Sequence, residues 1–191
     1  MMPALFSRAA QAETAPPEFT SEPWPETWTP EGVTVAQRYL GLAGAITLVY
    51  TADTGWHGDH YAVACLGCTY RTAREERRTY ADLLTQEQAA EAANTHAGTC
   101  RALPRPLPER PDDETARDIV RSCLHAKRRA AEDFPVFLTD FHLERLALQR
   151  TTAWIETELQ RLADEHPDVL TAKPRSYGTG TEFTLHPFPR S

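Results

Sequence analysis

Apolar positions along the 191-residue chain fall into three regimes. Across residues 1–31 they are sparse. Six prolines (Pro3, Pro16, Pro17, Pro23, Pro25 and Pro30) and several acids leave too little apolar surface to offset chain entropy, which predicts a disordered or extended Pro/acidic tail. Its aromatics Phe19, Trp24 and Trp28 lie among the acids and suit either packing onto a folded part or docking on a partner. Between 32 and 103, short apolar runs alternate with turn chemistry. Thr29-Pro30-Glu31 has the cap-then-proline order of a helix start, so a short helix is expected over 33–43, against the weakening effect of Gly41 and Gly44. Ile46–Thr51 is β-branched and aromatic and reads as a strand; Asp53-Thr-Gly55 and His57-Gly-Asp59 supply turns, and His60–Cys65 returns to complete a hairpin.

After Cys68, Thr69-Tyr70-Arg71 extends as a short strand. The spacing Thr72-x-x-Glu75 predicts a helical turn or two over 73–84, and Thr85-x-x-Gln88 opens a clearer helix from Gln86 to about Gly98. Pro104, Pro106, Pro108 and Pro111 make 104–111 a stiff linker. The third regime, 112–191, reads as a helical part. Asp112, Asp113 and Glu114 sit where negative charge favours a helix N-terminus, and Ala116, Ile119, Val120, Cys123 and Ala130 share one face. Beyond Pro135 a longer helix is expected over 137–165, with Phe141, Leu148, Ile155 and Leu162 recurring every seven residues and Phe137, Trp154 and Leu159 joining them. The two helices are expected to pack as a pair. Tyr177–Leu185 reads as a terminal hairpin or added edge strand.

Composition narrows the class. Hydrophobic residues at 41% and charged residues at 25% exclude wholesale disorder. The absence of an 18-residue apolar run and of a signal-like start leads to the expectation of a soluble, cytoplasmic protein without membrane contact. The net charge of −7 opposes sequence-independent wrapping of nucleic acid. Residues 1–64 hold two basic and seven acidic side chains; residues 65–111, with seven Arg and six acids, are the one segment in positive excess. The arginine- and alanine-rich composition resembles that of GC-rich actinomycete proteins.

The four cysteines, in a chain read as reduced, are better suited to a metal or redox site than to disulfides. The informative pattern is Cys65-Leu-Gly-Cys68 followed by His96-Ala-Gly-Thr-Cys100. Two thiols at a strand end can turn onto one knuckle, helped by Gly67, while His96 and Cys100 at i and i+4 face the same way one helical turn apart. Together they offer a closed Cys₃His shell of the structural zinc kind. Ala89, Ala92 and Ala93 keep the ligand-bearing face small, Gln86, Glu87, Glu91 and Asn94 form the solvated face, and Val63 and Tyr70 are the apolar neighbours. The alternatives are a thioredoxin-like redox pair, for which no βαβ frame is visible, or unrelated core cysteines, the natural reading of Cys123.

Residues 61–100 resemble a C2HC zinc finger of ββα type, with a treble-clef-like arrangement as the variant suggested by the 27-residue gap between the ligand pairs. The chain also resembles small Cys/His-containing proteins of actinobacteria and their mobile elements. The expected class is therefore α+β, a small zinc-stabilised hairpin-plus-helix module with a C-terminal helical pair. A closed shell leaves no position for water, and neither the H-x-E…C-x-x-C order of deaminases, nor a phosphate loop, nor a G-x-S-x-G elbow is present. The expected function is that of a non-enzymatic adaptor or regulator with a protein partner. One alternative is nucleic-acid binding through Arg71, Arg74, Arg77 and Arg78 with Arg101 and Arg105; another is a metal-dependent hydrolase using His57, Asp59 and His60.

Overall fold

The computed structural model describes residues 27–53, 60–73, 83–128, 132–176 and 178–188. Its first part is an antiparallel meander of four strands in the order β1 (Val33–Leu40), β2 (Ile46–Ala52), β3 (Tyr61–Cys65) and β4 (Arg71–Thr72). The expected helix over 33–43 is thus replaced by strand β1. Val33, Val35, Gln37 and Tyr39 alternate with exposed Thr34 and Ala36, a bulge falls between Val35 and Gln37, and the strand pairs with β2 from Val33↔Ala52 to Leu40↔Ile46. Pairing with a buried neighbour outweighs the cap signal at Thr29. Gly41 and Gly44, which weaken a helix, here make the tight β1–β2 connection, with Gly44 at φ 91°.

Strand β2 is buried along nearly its whole length because both of its faces are covered. Period-two alternation sends Val49, with Tyr61 and Val63 of β3, toward helix α1 (Gln86–Ala97). The opposite face carries Ile46, Leu48, Tyr50 and Ala62, which meet Trp28, Leu146 and partly buried Leu107 and Leu143. Trp28 therefore packs onto the domain, and its carbonyl accepts from Arg38 Nη2 at 2.9 Å. Phe19 and Trp24 lie outside the described residues, as do nearly all of the helix expected over 73–84 and Ala130.

The second part begins with α2 (Asp113–Lys127), capped by Asp112, whose carboxylate accepts from Thr115 N at 2.7 Å. Strand β5 (Phe134–Val136), a 3₁₀ segment (Leu138–Glu144) with a short α3 (Arg145–Leu148), α4 (Thr152–Glu165) and a hairpin of β6 (Leu170–Pro174) and β7 (Thr181–Leu185) follow. The terminal hairpin forms, but β7 is central: the sheet order is β5-β7-β6. The single helix expected over 137–165 is broken. Gln149 adopts a left-handed conformation (φ 46°), and Thr151 caps a new helix by accepting from Trp154 N at 3.2 Å. Phe141, Leu148, Ile155 and Leu162 nevertheless converge in one core with Ala116, Val120, Leu124, Phe183 and Leu185, whereas Phe137 is left exposed.

Two buried arginines fix the break. Arg150 donates from Nη1 to the carbonyls of Leu148 and Gln149 and from Nη2 to that of Pro111 and to the Asp113 carboxylate. Arg145, fully buried, donates to the Arg150 carbonyl at 3.2 Å and to Thr152 Oγ1 at 2.9 Å, with Asp53 Oδ1 at 3.5 Å. Burial lowers the Arg145 pKa to about 10 against the opposing pull of Asp53 and Tyr50. Asp53, at the end of β2, also accepts from Thr152 N at 2.9 Å and Thr152 Oγ1 at 2.5 Å, so the first sheet reaches the N-terminus of α4.

Asp53→Ala leaves the Arg145 guanidinium without its carboxylate and the first turn of α4 without its acceptor. It is expected to cost about 2–4 kcal/mol, read as a lower denaturation midpoint at unchanged slope. An unchanged midpoint contradicts this account of the junction.

Candidate metal centre

The candidate centre is built where the hairpin meets the end of α1. Thr85 opens the helix with a reciprocal capping box: its hydroxyl accepts from Gln88 N, and its own N–H donates to Gln88 Oε1 at 2.8 Å. Ala89, Ala93 and Ala97 face inward and are buried, with Ala92 partly so, which lets the helix backbone approach β2 and β3 closely. Gln86, Glu87, Glu91 and Asn94 are exposed, as the sequence pattern requires. The helix ends at Gly98, but the Cys100 N–H still donates to the His96 carbonyl at 2.9 Å. That bond keeps His96 and Cys100 on one side.

On the other side, Cys65 ends β3 on the face turned toward α1, opposite Thr47. The chain then bends through Leu66, Gly67 and Cys68. Gly67 N donates to Cys65 Sγ and Tyr70 N to Cys68 Sγ, both at 3.4 Å, so each knuckle sulfur is held by the amide two residues on. Glycine is required at 67 by close approach. A Cβ there would lie 2.4 Å from Ala45 Cβ and 2.7 Å from the Leu103 carbonyl oxygen.

Among the described residues, Cys65, Cys68, His96 and Cys100 bring one ligand atom each within 4.8 Å of one another. Cys65 Sγ lies 3.9 Å from Cys100 Sγ and Cys68 Sγ lies 3.4 Å from His96 Nε2, so each of these contacts crosses from hairpin to helix end. The group could hold a metal ion. The His96 ring stacks on Tyr70 at 4.0 Å between centroids with planes 4° apart, which fixes its orientation. Ala45, buried with Cys65 and Cys100, closes the site from the β1–β2 connection, and Leu42 N donates to the Cys100 carbonyl. This third wall is the part sequence reasoning missed, although the Gly41/Gly44 pair was its signal.

The thiols do not ionise alike. Burial works against ionisation of Cys65, but hydrogen bonding from the Gly67 amide, the His96 side chain and the Cys68 amide outweighs it and brings the thiol down to about 6. Burial raises Cys68; the Tyr70 amide opposes this, while the sulfurs of Cys65 and Cys100 reinforce it. Cys68 thus resists taking on a negative charge beside the other two sulfurs unless a cation sits among them. Cys123 lies elsewhere, on the core-facing side of α2, where burial pushes its thiol up to about 11.

Among the described residues, the other candidates (Arg71, Arg101, Arg105 and His60) form no comparable group. Arg71 pairs with Glu144 at 3.1 Å, and Arg101 and Arg105 are exposed just after α1. Arg74, Arg77 and Arg78 lie outside the described residues, as do His57 and Asp59, and His60 is partly buried at the start of β3.

Gly67→Ala is expected to destabilise the chain by about 1–3 kcal/mol through the clash with Ala45 and the Leu103 carbonyl. Ala45→Gly, which removes one of the two clashing atoms, should recover part of the loss in thermal melts. No family model matches the chain, and comparison with curated proteins and with solved structures finds no similar protein.

Proposed function

We propose that the chain is a non-enzymatic interaction protein whose Cys65, Cys68, His96 and Cys100 hold one structural Zn²⁺. The observation that carries this reading is the spacing of the ligand atoms. Tetrahedral zinc with ordinary Zn–S and Zn–N bonds places its sulfurs about 3.8 Å apart and a sulfur and an imidazole nitrogen about 3.6 Å apart. Of the ligand-atom separations, all within 4.8 Å, the 3.9 Å between Cys65 and Cys100 and the 3.4 Å between Cys68 and His96 match these two kinds of edge. Three thiolates and an imidazole suit a borderline-soft cation and fill its coordination, which leaves no place for a reactive water. Zinc bound there would tie β3 to the end of α1, and its binding free energy, on the order of 10 kcal/mol for such sites, would become folding free energy.

The interaction role draws on what surrounds this end. Leu40, Leu42 and Leu103 are 70%, 64% and 72% exposed. They lie on two adjacent segments joined by the Leu42–Cys100 hydrogen bond and by the approach of Gly44 to Pro104. Large exposed leucines grouped at a rigid, cross-linked edge fit a protein partner. The exposed face of α1 carries Glu87 and Glu91, which would repel phosphates, so major-groove reading by that helix is disfavoured.

Elemental analysis of the purified chain is expected to give one zinc per molecule, and Cys68→Ser should reduce it well below one. Cys123→Ser is the matched control and should retain the metal. Chelation should lower the melting temperature and speed hydrogen exchange in 61–70 and 96–103. Undiminished zinc in Cys68→Ser would falsify the assignment.

A further inference from the structure

The order α2, β5, 3₁₀ segment with α3, α4, β6–β7 hairpin carries a second message. Three residues, Gln149–Thr151, separate α3 from α4, the spacing of a helix-turn-helix, and the hairpin that follows pairs with β5 to form a wing beside α4. In nucleic-acid readers with a helix-turn-helix, the helix after the turn is the one laid into the major groove. Here α4 buries Ile155, Leu159, Leu162 and Ala163 and leaves Glu156, Thr157, Gln160 and Asp164 exposed. These side chains, with Arg161 and with Gly180, Thr181 and Phe183 of the hairpin, line an open groove of about 500 Å³.

The charge of that groove is the reverse of what a duplex needs. Arg161 is the one cation on α4, and it is held by Glu158 and Glu165. Among the described residues no cation pairs with Glu156 or Asp164; Asp164 accepts only from Gln160 Nε2, at 3.0 Å. Of the hairpin cations, Lys173 stands opposite Glu182, and Arg175 lies at the tip beside Gly180, at one end of the groove. Phosphates brought to this face would meet carboxylates.

We propose that the outward face of α4 and the groove beside β7 dock a basic polypeptide segment. Lys or Arg side chains of the partner meet Glu156 and Asp164, while an apolar side chain enters over Phe183. The helix-turn-helix frame is used here for protein recognition, with charge complementarity selecting the partner. This goes beyond the interaction reading given above, at a separate face, and is independent of the metal.

The test uses the full-length, zinc-loaded chain and three fluorescent probes: a synthetic peptide alternating arginine and leucine, its glutamate–leucine counterpart, and a short DNA duplex. Anisotropy is expected to show saturable, salt-sensitive binding of the cationic peptide alone. The double variant Glu156→Lys/Asp164→Lys should weaken it about tenfold or more, and the milder Glu156→Gln/Asp164→Asn should weaken it in the same direction. Glu87→Lys/Glu91→Lys on α1 makes the same change in net charge and should leave binding intact. Equal weakening by both lysine pairs, tighter binding of the duplex, or no binding of the cationic peptide overturns the proposal. Zinc content measured on the same samples separates the two readings, since a fully loaded chain that ignores the peptide refutes this one only.

Discussion

The approach of a strand end to a helix end is the constraint on which the N-terminal half turns. Alanines on α1 let its backbone come close to β2 and β3, and a glycine at 67 lets the knuckle pass under Ala45 and Leu103. Only with both in place do three sulfurs and one imidazole nitrogen come within 4.8 Å of one another. The apolar packing there is slight, since Ala45, Cys65 and Cys100 are the buried members of that cluster. A cation among the sulfurs would supply at this end the cohesion that larger side chains supply around Val49, Tyr61 and Val63.

The C-terminal half solves its corresponding problem with charge. Arg145 and Arg150 are large, fully or almost fully buried side chains that an apolar core would exclude. They are tolerated because they hold carbonyl oxygens that a broken helix leaves without partners, and because Asp53 and Asp113 supply counter-charge. The turn between α3 and α4 is therefore held from three directions: by the prolines before α2, by the end of β2 and by its own carbonyls. A rigid turn of this kind fixes how α4 is presented to solvent, which a docking face requires.

Much of this was legible in the sequence, and the failures have physical causes. The Cys/His group, the hairpin, the capping box at Thr85 and the start of α2 each rest on local chemistry, so local reading finds them. Strand β1 was misread as a helix because the Thr29-Pro30 signal is local, whereas the pairing of Val33–Leu40 with β2 is not. The seven-residue recurrence of Phe141, Leu148, Ile155 and Leu162 suggested one continuous helix. The same four residues fill one core across a break, because a sharp turn can return the chain to the same side. Thr151, which caps α4 in the structure, stands within an unbroken apolar period that gives no sign of the break. The partnership of Asp53 with Arg145 joins residues 92 apart and has no signature in either neighbourhood.

The two-sided burial of β2 also bears on how the chain is made. Its α1-facing side can be covered soon after the strands leave the ribosome, because α1 follows β4 closely in sequence. The other side, with Leu48, Tyr50 and Ala62, waits for Leu143 and Leu146. Roughly eighty residues separate Cys65 from Leu146, which at ordinary elongation rates amounts to several seconds. During that interval a partly finished sheet displays an oily surface, so nascent chains of this protein should be clients of holding chaperones until the second half arrives.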